Sequence, residues 1–451
     1  MTMAAIGTLR RHLSSLVVNP VSTGASASSM PELGALSEVT VALPRRRTLF
    51  GPLHEPLFRS LWVAAVVSYT GSWMQNVGAG WLMTSLTMSP LMVGLVQAAN
   101  NIAVFLVVLP AGAIADVVDR RKLMLLTQLW MVLAAAALGV LTIAGLVTPA
   151  WLLLFTFLMG FGAVLNDPAW QAITPEVVSR ENFAAGIALN SAGFNVARAI
   201  GPALGGLVIY AAGSGIAFLL NAVSFFGVIY FLIRWKCAPG RTSLSFRHTL
   251  DVMFDGFRHF HGSREMHAVL VRSAVFSIPA SALLALLPLY SHCFGSLGFG
   301  MLFGLFGLGA LGGAAIMPFL RRMMSVDALV ATSTAVFAAT TYAAGRWPSF
   351  LGLSITLLMA GIAWIQILAS LNVSAQTMSP HSMRARAISM YLLVLQGGFA
   401  AGAVLWGAVA ERVGIQRSLR YAALGLLLGI ATTIWFRLHP VPVEPNTIGM
   451  D

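Results

Sequence analysis

A chain of 451 residues in which 58% are hydrophobic and only 9% charged cannot present a water-soluble surface, since soluble domains carry roughly 25% charged residues. Its net charge of +12 would suit nucleic acid in a soluble protein. Here, however, the cations sit in short loops between apolar runs, which is a signal of membrane topology.

Residues 1–56 are rich in Ser, Pro, Gly and Ala and carry Arg10, Arg11 and Arg45-Arg46-Arg47. Their apolar stretches are interrupted by Arg10-Arg11-His12, so the expectation is a disordered cytoplasmic tail rather than a cleaved signal peptide. Twelve apolar runs follow, each near the ~20 residues a helix needs to cross a bilayer. They lie at roughly 59–84, 90–115, 122–146, 149–172, 184–211 and 214–234, then at roughly 266–291, 298–320, 327–345, 348–374, 386–411 and 418–437. Backbone groups in hydrocarbon must pair within their own segment, so each run is expected to be a helix.

The fold class read from this pattern is an all-α membrane protein of two pseudo-symmetric six-helix bundles, at 57–234 and 266–438. A cytoplasmic linker at 235–265 joins them, and residues 439–451 form a C-terminal tail. In the linker, Phe246, Leu250, Phe254 and Phe257 recur at helical spacing among charges, which suggests an amphipathic helix lying on the inner surface.

The cations set the orientation. Arg59, Arg120, Arg121, Lys122, Arg180, Arg321, Arg322, Arg384, Arg386 and Arg437 share one side with the basic linker, while the opposite loops hold Arg346, Arg412, Arg417 and Arg420. The positive-inside bias then places both termini and the linker in the cytoplasm. Cys237 and Cys293 fall at opposite faces, too far apart to pair within one subunit.

An internal repeat is visible in the numbering. A shift of 201 residues takes Gly112 to Gly313, Arg120 to Arg321, Arg121 to Arg322, Gly201 to Gly402 and Gly206 to Gly407. One offset that aligns two separate helix pairs argues for parallel repeats about an axis along the membrane normal.

The stretch Gly112-Ala-Ile-Ala-Asp116-Val-Val-Asp119-Arg120-Arg121-Lys122 resembles the signature loop of the major facilitator superfamily. Gly201-Pro202-Ala-Leu-Gly205-Gly206 resembles the fifth-helix motif of its proton-driven exporters. Gly71-Ser-Trp73-Met-Gln75-Asn76, Asn166-Asp167-Pro168-Ala-Trp170-Gln171, Asn195-Val-Ala-Arg198 and Gln396-Gly397-Gly398 are similar to the branch called transmembrane secretion effectors. That branch includes enterobactin-type siderophore exporters and macrolide-efflux-like proteins. The fourth span lacks the Arg that many superfamily exporters carry before Gly160, Ala197 replaces a usual Gly, and Met317 stands where the first repeat has Asp116.

The resemblance implies that Asp116 holds the N-terminal end of the eleventh helix in one state of the cycle, a contact worth roughly 0.3–1 kcal/mol. Arg120 and Arg121 serve either topology or a latch. Gly112, Gly201, Gly205 and Gly206 allow close helix approach, and Pro202 removes one backbone bond; the group serves packing alone or also sliding between states.

Two charges lie within apolar spans. Arg198 is about fourteen residues into the fifth, roughly 21 Å along it at 1.5 Å per residue, so it should face a cavity or a partner. It acts on substrate or gating, or serves as a hydrogen-bond hub. Asp167, near the inner end of the fourth span, either carries a proton or bonds at a helix end. Trp73, Gln75, Asn76, Asn101, Asn166, Trp170, Asn195, Trp364, Gln366 and Gln396 complete the substrate candidates, with interhelical bonding as the alternative for each amide. The third and twelfth spans carry fewer such groups, as suits peripheral helices.

The functional expectation is a secondary active transporter of the bacterial inner membrane, exporting a hydrophobic or siderophore-like small molecule by alternating access. No GxxxxGK[ST] loop for ATP is present, so an ion gradient, of protons, would drive it. No catalytic residues, cofactor, metal or nucleic-acid partner are expected, and the protein would act as a monomer. An importer of the same fold and a non-transporting sensor or scaffold remain alternatives, and a membrane enzyme lacks HExxH or a nucleophile–base pair.

Overall fold

The computed structural model describes residues 50–235, 263–347, 349–378 and 384–438. The expected N-terminal tail up to residue 49, the linker helix around Phe246–Phe257 and the C-terminal tail lie outside these residues, as do the surroundings of Gly112 and the side chain of Asp116. Twelve long helices run through the described chain. In the first half they are α1 (Pro56–Leu86), α2 (Pro90–Val117), α3 (Arg120–Ile143), α4 (Pro149–Val177), α5 (Phe183–Ala212) and α6 (Ser214–Arg234). In the second they are α7 (Arg264–Ala285), α8 (Gly295–Met323), α9 (Val326–Ala344), α10 (Phe350–Thr377), α11 (Arg384–Val413) and α12 (Ile415–Ile430).

The helix starts are written in the sequence. Pro56, Pro90 and Pro149 occupy first positions, where the missing N–H is no loss. Ser89, Asp119, Thr148, Ser263, Ser325 and Ser349 each accept a hydrogen bond from a backbone N–H in the first turn, satisfying donors the helix cannot. Gly213 and Gly414, at φ 83° and 87°, let α5 and α11 end and the next helix begin within one residue. They are 201 residues apart, so the repeat extends to the turns.

Two spans differ from expectation. The seventh does not run unbroken to residue 291: α7 stops at Ala285 and a single turn, Leu287–Tyr290, follows, because Pro288 has no N–H to continue the helix's hydrogen bonds and is tolerated only in the first turn of a new one. The twelfth ends at Ile430 and tightens into a 3-10 turn, Ala431–Ile434. Ten helical stretches among the described residues are long and apolar enough to cross a membrane. They leave out α12, only 16 residues long, and α1, whose apolar run is interrupted by Thr70, Ser72, Gln75 and Asn76.

The packing repeats with the chain. In the first half α1 packs on α5 and α6, α2 on α4, and α3 on α4 and α6. Six helices on, α7 packs on α11 and α12, α8 on α10, and α9 on α10 and α12. The halves meet through α2 on α11 and α5 on α8, two contacts that exchange under the same relation. Lipid offers no hydrophobic drive for helices to associate, so close approach at small residues holds them. Gly94 faces the Ala403 backbone, Gly206 faces Ser296 and Gly300, and Gly307 faces Arg198 and Ala199.

All these cross-half contacts lie in the parts of the helices away from the basic loops. Toward the basic end the halves part. The face of α8 that is buried at Gly300, Gly304 and Gly307 is exposed at Ala314 and Pro318, two to three turns on.

Candidate substrate cavity

Below the sealed end a cavity opens in three connected lobes. The first, about 370 Å³, reaches into the first half between α1, α3, α4 and α6. The second, about 240 Å³, lies between α1, α2 and the start of α8. The third, about 290 Å³, sits between α5, α7, α8, α10 and α11. Trp73 of α1 and Gln396 of α11 border all three, so one residue from each half stands at their junction.

Arg198 lines the third lobe. Its guanidinium carbon is 5.9 Å from the Trp73 ring centre and 5.7 Å from that of Phe306 on α8, within the range of cation–π attraction. Among the described residues no carboxylate or hydrogen-bond acceptor pairs with it. Of its two expected roles, the hydrogen-bond hub therefore has no counterpart in the geometry. Asp167 is ten residues short of the end of α4 at Val177 and exposed to the first lobe. No hydrogen-bond partner is found for it among the described residues, so it does not bond at a helix end.

The remaining candidates separate by burial and partner. Asn76, Asn101, Trp170, Trp364 and Gln396 border the cavity. Gln75 and Asn166 also reach its wall but are engaged in interhelical bonds. Asn221 Nδ2 donates to Gln75 Oε1 at 2.5 Å, and Asn166 Oδ1 accepts from Thr127 Oγ1 at 3.1 Å and Gln128 Nε2 at 3.4 Å. Asn195 donates to the Ser191 carbonyl of its own helix at 2.8 Å. Gln366 is buried and donates to the Gly313 carbonyl at 2.6 Å. Neither of these two borders a lobe. Trp364 is stacked on Phe399 at 4.9 Å and meets Phe306 edge-on at 5.6 Å, forming the apolar floor of the third lobe.

Sequence reasoning missed Tyr69, Gln128, Phe194 and Phe303, all of which line the cavity. Gln128 is on α3, expected to be peripheral; the depth of the first lobe brings that helix to the wall.

The gating candidates also separate. Cβ atoms at Gly201 and Gly205 would meet Trp73 and Met74 of α1 at 2.6 and 2.9 Å, within their own half, whereas Gly206 meets α8 across the interface. Pro202 lies inside α5. Arg120 pairs with Glu176 at 3.1 Å, tying the start of α3 to the end of α4. Arg121 donates to the carbonyls of Leu232 and Ile233, each at 2.7 Å, which caps the end of α6 with a cation where the helix dipole favours one.

A family model described as transmembrane secretion effector matches residues 47–447. The chain belongs to the transmembrane secretion effectors of the major facilitator superfamily. Among relatives of this effector, an enterobactin exporter of Escherichia coli is 25% identical over 381 residues, covering 83% of this chain and 90% of that one. A staphyloferrin A transporter of Staphylococcus aureus is 24% identical over 228 residues, and the match spans 50% of this chain and 56% of that one. The effector also superposes on a variant of the nucleoside transporter NupG with a TM-score of 0.68 at 15% identity, over 84% of this chain and all of that one, a likeness of fold. As a transmembrane secretion effector the protein is a multi-pass secondary transporter, not an enzyme, and moves small molecules across the bilayer by alternating access.

Proposed function

We propose that this effector exports an amphipathic, siderophore-like small molecule from the cytoplasm of a bacterial cell in exchange for protons. It would reside in the inner membrane as a monomer with both termini inside. The observation that carries this reading is the cavity: it is sealed at the end poor in cations and parted at the end rich in them. With the basic end inside by the positive-inside bias, the conformation is inward-facing, ready to load from the cytoplasm. The walls are amides and aromatic faces, suited to a bulky organic molecule and poorly suited to a sugar phosphate, which would need several convergent cations.

Gly206 and the loop from Gly112 to Arg121 serve the rocking of the two halves. Asp167, the carboxylate exposed to the first lobe, carries the proton, and Arg198 with Trp73, Asn76, Asn101 and Gln396 contacts substrate. The relatives named for enterobactin and staphyloferrin A support export of a siderophore-like compound.

A deletion strain tests it. Loss of a secreted metabolite, its accumulation inside, and collapse of export by a protonophore support the reading. Uptake driven from outside in proteoliposomes of known orientation overturns the direction.

A further inference from the structure

The lobes on either side of Trp73 differ in hydrogen-bonding sign. In the third lobe the charged group and the buried atom without a partner are both donors. Arg198 offers its guanidinium, and Asn101, 7% exposed and bordering the same lobe, has a buried Nδ2 without a partner. In the first lobe the charged group and the buried atom without a partner are both acceptors, among neutral amides such as Asn76 and Gln396. Asp167 exposes its carboxylate there, and Gln128, 3% exposed, spends its Nε2 on Asn166 and leaves Oε1 buried without a partner. Both lobes are bordered by Trp73, Phe194 and Gln396.

A buried polar atom without a partner is costly, and such atoms in native proteins call for an explanation. Here the two such atoms on the walls of these lobes, Asn101 Nδ2 and Gln128 Oε1, are of opposite sign, and each stands in the lobe whose charged group shares its sign. We infer that the cavity binds a bipolar ligand: an acidic group in the third lobe against Arg198 and Asn101, a basic group in the first lobe against Asp167 and Gln128, and an apolar or aromatic middle across Trp73 and Phe194. The inference rests on the exporter reading and adds the ligand's class, an extended zwitterion. A purely anionic ligand leaves Asp167 and the Gln128 oxygen unmatched, and a purely cationic one leaves Arg198 and Asn101 unmatched. Asp167 cannot hold a proton and a ligand's ammonium group together, so the two compete, as exchange requires.

Discrimination among three matched probes tests this on the purified full chain in nanodiscs. The probes are an aminomethyl-biphenyl-carboxylic acid, its methyl ester, and its N-acetyl form, with affinity read by equilibrium dialysis. The free zwitterion is expected to bind about tenfold or more tightly than either capped form, the factor that follows from ~1.4 kcal/mol per lost charged contact. Arg198→Gln should abolish the preference for acid over ester and keep the preference for amine over acetamide. Asp167→Asn should do the reverse, and Arg198→Lys should restore part of the acid preference.

Equal affinity for all three probes, loss of both preferences in either variant, or no binding of any probe overturns the inference. Export by the deletion strain carrying each variant is measured alongside. Retained export with no charge preference sinks the bipolar site alone, whereas no export by the wild-type chain sinks the exporter reading beneath it. Monodispersity and melting temperature of each variant separate lost recognition from lost folding.

Discussion

Gly206 of α5 and Gly407 of α11 occupy one position in two copies of the same interface. Gly206 lies against Ser296 and Gly300 at the start of α8, and Gly407 lies against Pro90 and Leu91 at the start of α2. A Cβ at Gly206 would stand 2.6 Å from the Ser296 carbonyl oxygen, and one at Gly407 would stand 2.9 Å from that of Pro90. Both neighbours are backbone and cannot swing aside. Overpacking of this kind costs about 1–3 kcal/mol, enough to shift a two-state equilibrium about 5–150-fold. Gly206→Leu and Gly407→Leu are each expected to part the sealed end. Spin labels at Met88 and Arg417, with the exposed Cys293 and Cys237 replaced first, should report a longer distance in both variants. An unchanged distance would show that these contacts do not hold the seal.

Ser89 closes the same end differently. Its hydroxyl accepts from the Met92 N–H at 3.4 Å, capping α2, and donates to Glu411 of α11 at 2.9 Å. One side chain therefore starts a helix and links the two halves. Ser89→Ala removes both and is expected to lower stability by about 1 kcal/mol, the usual worth of an N-cap. Glu411→Ala removes the exposed link alone. It should leave the melting temperature nearly unchanged while raising labelling of a cysteine introduced at Gln97 from the far side. Equal destabilisation by both variants would assign the effect to the link rather than the cap.

Much of this architecture is legible in the chain. The offset relating Gly201 to Gly402 and Gly206 to Gly407 also relates Gly213 to Gly414, the two positive-φ turns, and the packing follows it. Trp73, Asn101 and Gln396 could be placed at a cavity because polar and aromatic groups in an apolar span need somewhere other than lipid to face. The same reasoning could not separate Asn195 and Gln366 from them: both bond to helix carbonyls, and Gln366 takes the interhelical alternative. A side-chain amide bonded to a carbonyl of its own or a neighbouring helix is as well satisfied as one facing water, and the sequence does not record which carbonyl is near. Gln128 escaped notice for the converse reason: its helix is peripheral elsewhere along its length, and only the depth of the first lobe exposes it.

The basic end carries a pH-dependent tie. Glu55, at the start of α1, accepts from the Ser179 N–H at 3.1 Å, the Ser179 hydroxyl at 2.8 Å and Asn182 Nδ2 at 2.8 Å. Burial alone would raise its pKa, but the hydrogen bonds from Asn182 and Ser179 outweigh burial and hold it below its ordinary value of 4.5. A depressed folded-state value means that the contribution is complete above the unfolded value and is lost as pH falls through the folded one. The melting temperature of the wild type should therefore fall more steeply on acidification below 4.5 than that of Glu55→Gln. The variant should also be the less stable of the two at neutral pH. Parallel acid profiles would remove Glu55 from the account.

Arg272 of α7 is 5% exposed and pairs with Asp327 at the start of α9. The Asp327 carboxylate also accepts from the Leu438 N–H, with both oxygens at 3.1 Å. One carboxylate therefore joins α7, α9 and the chain beyond α12. Stripping one member of a buried pair leaves an uncompensated charge and costs about 3–5 kcal/mol, whereas replacing both by apolar groups is often neutral or better. Asp327→Asn, which strands the buried guanidinium, is accordingly expected to lower the melting temperature sharply, and Arg272→Met to lower it less, because the Asp327 side chain is 28% exposed and keeps the Leu438 N–H. The double variant Arg272→Met with Asp327→Asn should be less damaged than the sum of the two, because the lone buried charge is gone. The Leu438 N–H still finds the Asn carbonyl oxygen, so the anchor of the last segment survives in that double variant. Effects that simply add in this cycle would mean the pair is not coupled and that α7 and α9 are held by their apolar contacts, with Phe276 against Phe337 at 5.6 Å as the nearest aromatic one.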